Sequence, residues 1–144
     1  MTDIAFHTGV EAPLEYACRL LRKAYRAGAA VAVHGEAGQI DRLDEALWTF
    51  EALEFIPHAV LPRDAAAAEK LARTPIVLLR PGASAPAHCR VGVSLAAAPI
   101  DGVERYDRAI VIVGADPEER EAGRLRWREF EREGHAVSHV ARPE

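Results

Sequence analysis

The sequence predicts an α/β domain whose largely parallel sheet is covered on both faces. Three observations carry that expectation. Short apolar or β-branched runs alternate with segments of helical periodicity through much of the chain. The strongest strand signal, Arg108 to Val113, is a continuous β-branched run followed directly by a helix-opening Asp-Pro pair. No repeat, linker or low-complexity block divides the 144 residues, a length that suits one domain and one ordinary core.

The elements follow in order. Asp3 to His7 is a first strand ending near Gly9. Pro13 opens a helix in which Leu14, Ala17, Leu20, Leu21, Ala24 and Tyr25 recur at helical spacing, and Gly28 stops it. Ala29 to His34 is a second strand, punctuated by Gly35 and Gly38. Ile40, Leu43, Ala46, Leu47 and Phe50 mark a second helix with Asp41, Asp44 and Glu45 outside. The chain must then turn into an extended segment, Phe55 to Val60, because Pro57 drives Ile56 out of helical space. Asp64 to Arg73 is an alanine-rich helix, Thr74 to Leu79 a strand, and Pro81 to Ala87 a loop. Cys89 to Leu95 alternates as a strand, and Ala96 to Asp107 has no clear pattern. After the strand at Arg108, Asp116 caps a helix with Pro117 at its first position, running to Glu133 and stopping at Gly134. His135 to Val140 is a last strand before a polar tail.

Composition narrows the function. Hydrophobic residues make up 49% and charged residues 28%, the mix of a soluble globular protein. No apolar run approaches the ~20 residues of a membrane helix, and no secretory signal is visible, so a cytoplasmic protein without a membrane partner is expected. Cys18 and Cys89 are too few for a disulfide framework. A net charge of −4 argues against coating nucleic acid by bulk charge. The chain carries 28 Ala, and Arg outnumbers Lys 16 to 2. Codon usage in a GC-rich genome would explain the Arg excess, so an Arg by itself is weak testimony to chemistry.

Catalytic and cofactor signals are thin. His34-Gly35-Glu36-Ala37-Gly38 is neither a dinucleotide fingerprint nor a P-loop, and Glu36 would oppose a phosphate. Gly114-Ala115-Asp116 reads better as a helix start. His135 and His139 share a strand face but stand about 13 Å apart at ~3.3 Å per residue, too far to chelate one ion. His7 and His34 end adjacent candidate strands and are placed to approach each other, yet two imidazoles fall short of a zinc site. Cys18 sits mid-helix among apolar residues, as an inert thiol would. Cys89 follows His88, and neighbours in a strand point to opposite faces. No nucleophile and base are paired, so no catalytic residue, cofactor or metal is expected.

Two surfaces remain. Arg120, Arg124 and Arg128 recur every four residues as a basic stripe, beside an apolar stripe of Gly123, Trp127 and Phe130. An aromatic bordered by guanidinium forks suits an acidic peptide with a bulky apolar end. An ordinary amphipathic helix, with Trp127 in the core and the arginines paired to Glu121, Glu129, Glu131 and Glu133, is the plain alternative. The second surface gathers Trp48, Phe50, Phe55 and Ile56 around a turn, either as core or as an exposed aromatic partner site.

The string Arg42-Leu43-Asp44-Glu45-Ala46-Leu47-Trp48, followed by Phe55-Ile56-Pro57-His58, closely resembles the chi subunit family of bacterial DNA polymerase III holoenzyme. The resemblance extends over nearly the whole chain, weakest from Leu61 to Ala87. It implies a single-domain three-layer α/β/α sandwich with a mostly parallel, Rossmann-like sheet and no intrinsic catalysis. It implies a heterodimer with the psi subunit, which ties chi to the clamp loader, and a grip on the acidic C-terminal tail of single-stranded DNA-binding protein (SSB). It further implies that a helicase-type repair protein can occupy the psi face, and that DNA is met only indirectly. Carried over residue by residue, the tail site is Val113, Arg120, Arg124, Trp127, Arg128 and Val137. The psi face is Trp48, Phe55, Ile56, Pro57 and His58, with Thr49-Phe50 departing from the more polar family pattern. The rival expectation is a small nucleotide- or phosphate-binding enzyme with its ligand near Gly35, Gly38 or Gly114.

Overall fold

A computed structural model describes residues 2–50, 55–62, 64–71 and 73–141. The predicted turn after the second helix (51–54), residue 72 within the predicted third helix, and the polar tail (142–144) fall outside the described residues. The elements are β1 (Asp3–Val10), α1 (Pro13–Arg26), β2 (Val31–His34), α2 (Ala37–Thr49), β3 (His58–Leu61), α3 (Ala65–Leu71), β4 (Ile76–Leu79), β5 (Val91–Ser94), β6 (Arg108–Gly114), α4 (Pro117–Arg132) and β7 (Ala136–Ala141). All seven strands are parallel, in the order β3-β4-β2-β5-β6-β1-β7. The fold is the expected α/β sandwich.

Strand alternation sends side chains to two separate cores. On one face Val31, Val33, Ile110 and Ile112 meet Ala17 and Leu21 of α1 and Ile40, Leu43 and Leu47 of α2. On the other, Ile4, Phe6, Val111 and Val113 meet Phe130 of α4, while Ile100, Val103 and Tyr106 from the long connection before β6, with Cys89 from the connection before β5, cover the centre. Each such fully buried aliphatic or aromatic side chain contributes about 1.5–3 kcal/mol.

Element ends differ from the expected ones for identifiable reasons. Ala29 lies outside β2 and His135 outside β7, because both belong to helix exits. Gly28 (φ 81°) and Gly134 (φ 86°) turn left-handed, and the amides of Ala29 and His135 reach back to the carbonyls of Ala24 and Phe130. β1 does not stop at His7. It passes through a bulge, where the pairing with β6 shifts between His7 and Val10 and Gly9 takes φ 69°. α2 starts three residues before Ile40, its first amide at Glu36 donating to Gln39 Oε1 at 2.8 Å. The patternless stretch Ala96 to Asp107 is a tight turn followed by a single 3₁₀ turn, Val103–Arg105. Ala96 and Ala97 both sit at positive φ, and Ser94 Oγ donates to Ala98 O at 2.5 Å to hold them.

Cys89 closes a turn ahead of β5, its amide donating to Pro86 O, so strand alternation does not separate its side chain from His88. Its Sγ is 3.9 Å from His88 Nε2. Burial nonetheless pushes the Cys89 thiol up to about 11, and does the same to Cys18, so neither is a ready thiolate. His7 and His34, expected near each other, project to opposite faces of the sheet. His7 Nδ1 pairs with the Tyr16 hydroxyl at 2.5 Å under α1, and His34 Nε2 pairs with the Tyr106 hydroxyl at 2.6 Å in the other core.

Two predictions follow from this packing. The Tyr106 ring lies against Gly92, where a Cβ would fall 2.6 Å from Cε2. Gly92→Ala should therefore cost about 1–3 kcal/mol in urea denaturation. Burial, opposed by Asp101 and reinforced by Arg105, lowers the His34 pKa to about 4, against ~6.5 in the unfolded chain. The unfolded state takes up the proton first, so the stabilisation is complete above pH ~6.5 and falls away towards pH ~4, by about 3 kcal/mol in all. Unfolding midpoints across that window should fall more steeply in the native sequence than in His34→Gln.

Candidate functional site

β6 and β1 are neighbours, and the helices that follow them leave in opposite directions. α1 carries the chain from β1 towards β2 over one face, and α4 carries it from β6 past β1 to β7 over the other. A crevice opens at the carboxyl ends of the two strands, the usual ligand position in an open parallel sheet. Here it is a cleft of about 1070 Å³, lined from α4 by Arg120, Gly123, Arg124, Trp127 and Arg128, and from β6 by Val113. Thr8, Gly9 and Val10 at the β1 bulge, Glu15, Tyr16 and Arg19 of α1, and His139 of β7 complete it.

Gly123 sets the depth. A Cβ there would come within 3.0 Å of Val113, so glycine lets α4 lie close on β6. One turn on, Trp127 is half-buried. Its ring stacks obliquely on the buried Phe6 ring, with centroids 5.1 Å apart, and meets His139 edge-on at 6.1 Å. Phe130, on the same stripe, is fully inside and packs on Phe6 at 6.2 Å. The apolar stripe thus divides: Gly123 and Phe130 dock the helix, and Trp127 shows one side to the cleft.

The arginines are not neutralised by their own helix. Arg124 meets Glu121 at 3.4 Å with both groups well exposed, a pair worth ~0–1 kcal/mol. Arg120 and Arg128 have no ion pair among the described residues. The pairing that does form is by Arg126, which faces away from the cleft, binding Glu129 and donating to Ala97 O. Five of the six expected tail-site residues therefore converge on one cleft. Val137 does not line it: it packs against the core, and His139, two residues along the same strand face, takes the cleft position.

The wall formed by α1 and by Glu11 just ahead of it has no local signature in the sequence. Glu11, Glu15, Tyr16 and Arg19 belong to the cleft only because β1 pairs with β6, a long-range fact that local periodicity does not carry.

The second surface lies at the far edge of the sheet, with β4, β2 and β5 between β3 and β6. Trp48 and Phe55 are 57% and 60% exposed, with ring centroids 5.4 Å apart. Trp48 also covers His58 at 4.7 Å. His58 is buried, its Nδ1 bonded to Ile56 O at 2.7 Å. Its Nε2 stands 3.1 Å from Asp44 Oδ1 but without hydrogen-bond alignment. Ile56 is 1% exposed and sits in the core, so it anchors the segment instead of offering surface, and Phe50 likewise packs inward. What faces outward is Trp48 and Phe55, with Pro57 half-buried.

The phosphate alternative meets crowding and charge. A Cβ on Gly114 would fall 1.7 Å from Glu119 Oε2, so that carboxylate fills the space at the start of α4, where Asp116 already accepts from Glu118 N. At Gly35, Gln39, Ile40 and Leu95 crowd within 3.2–3.3 Å of the same position. Among the described residues no three His, Cys, Asp or Glu side chains group as metal ligands, and no helix is long and apolar enough to cross a membrane.

Residues 1–138 match the family model described as DNA polymerase III chi subunit, HolC. The chain is also 31% identical over 127 residues to the DNA polymerase III subunit chi of Pseudomonas aeruginosa, covering 88% of this chain and 84% of that relative. By both its sequence and the extent of these matches, the chain belongs to the family of DNA polymerase III chi subunits.

Proposed function

We propose that this chi-family chain is a non-catalytic adaptor with two independent binding faces, one for the acidic SSB tail and one for the psi subunit. The observation that carries the tail reading is the half-buried Trp127 set in a cleft with three arginines of the same helix. As the family resemblance implies, the tail ends in a carboxyl-terminal phenylalanine preceded by aspartates; its ring enters between Trp127 and Val113, replacing water on apolar surface. Its carboxylate is taken by a guanidinium as a charge-assisted, bidentate bond. Arg124 and Arg128 both suit that role, since the exposed Arg124–Glu121 pair is weak enough to exchange and Arg128 has no ion pair among the described residues. Arg120 and Arg124 attract the aspartates upstream.

A short peptide buries little area, so micromolar affinity is expected, about −8 kcal/mol, weakening with salt. Many tails on one coated strand raise the effective concentration and compensate. At the other edge, Trp48 and Phe55 form an exposed aromatic anchor of the kind that dominates protein interfaces. Psi, or a helicase-type repair protein in its place, docks there.

In fluorescence polarisation with a labelled tail peptide, Arg124→Ala and Arg128→Ala should each weaken binding roughly tenfold, about 1.4 kcal/mol. Unchanged affinity in both would count against the cleft. Trp48→Ala should lower psi affinity by more than about tenfold in a pull-down titration while tail affinity stays constant. A parallel loss of both would show that the two faces are not independent.

A further inference from the structure

We infer that Arg19, on the α1 wall, is a second anchoring point for the acidic peptide and sets its path across the cleft; this rests on the tail reading above. The cleft of about 1070 Å³ slightly exceeds the range typical of a drug-sized ligand (roughly 300–1,000 Å³) and exceeds what one terminal ring and its carboxylate occupy. Residues upstream of the terminus therefore have room inside it, within reach of the opposite wall. That wall presents Glu11, Glu15 and Arg19. An aspartate brought to it is repelled at two positions and welcomed at one.

Arg19 is held ready. Its guanidinium stands 5.9 Å from the centroid of the Tyr16 ring, and Tyr16 is a buried lining residue whose hydroxyl is fixed by His7 at 2.5 Å. Its ion pair with Glu15, at 3.4 Å between largely exposed groups, is weak enough to exchange for a peptide carboxylate. The arrangement assigns a direction: the terminus on α4, an upstream acidic residue on Arg19, and Glu11 and Glu15 penalising other registers.

The test is a double-mutant cycle by fluorescence polarisation, using a fluorescein-labelled peptide of aspartates ending in a free C-terminal phenylalanine, and its counterpart with asparagines in place of the aspartates. Arg19→Ala should weaken the aspartate peptide about threefold to fivefold and leave the asparagine peptide unaffected. Glu15→Gln should strengthen the aspartate peptide about twofold by releasing Arg19. Melting temperatures should match, because both side chains are exposed. If Arg19→Ala binds the aspartate peptide as tightly as the native sequence, or loses affinity equally for both peptides, the inference is overturned. Trp127→Ala separates the two failures. Loss of binding there alongside an inert Arg19→Ala leaves the α4 site standing and removes α1 from it. No effect in either variant overturns both readings.

Discussion

The structure depends on one steric constraint: a strand–helix–strand crossover onto a parallel sheet is right-handed. Because β1 is followed by a leftward crossover and β6 by a rightward one, α1 and α4 are forced to opposite faces although their parent strands are neighbours. The two helices cannot close over the strand ends between them. The cleft is the consequence, and it exists whatever side chains line it. Nucleotide-binding folds use the same crevice for phosphates at a helix N-terminus. In this chain Asp116 and Glu119 occupy that end of α4 with negative charge, and the arginines begin one turn further along. The position follows from topology, and the positive charge in this cleft sits on guanidinium groups of the helix flank instead of on backbone amides at the helix start.

Trp127 is where the core and the cleft meet. Phe6, fully buried in β1 and packed in turn on the buried Phe130 of α4, fixes one side of the indole, and Gly123 brings its helix down far enough for the other side to become a wall. A larger residue at Gly123 would lift α4 and widen the cleft. A side chain already held rigid loses little entropy on binding. Here the rigidity comes from the hydrophobic core itself.

The opposite edge follows another logic. Ile56 and His58 are driven into the sheet, one by apolar burial and the other by its bond to the Ile56 carbonyl, and this leaves Trp48 and Phe55 stacked outside. Two large exposed aromatics on a short segment are costly to leave in water, and a partner that covers them removes that cost. Three strands, β4, β2 and β5, separate this face from the cleft, so the two surfaces do not overlap.

Local chemistry in the sequence determined a great deal. The number and kind of elements followed from periodicity, the start of α4 from Asp116-Pro117, and the basic stripe from four-residue spacing, because each depends only on near neighbours. It also made the Trp48 to His58 stretch conspicuous, though it did not separate Ile56, which turns in, from Phe55, which turns out. Helix exits misled the strand boundaries at Ala29 and His135, where backbone caps compete with strand geometry for the same residues. Only tertiary structure decided that α1 faces α4 across a cleft, that His7 and His34 lie on opposite faces, and that His139 rather than Val137 reaches the site. Those facts depend on strand order and sheet face, which are settled by contacts between residues more than a hundred positions apart, as between β1 and β6.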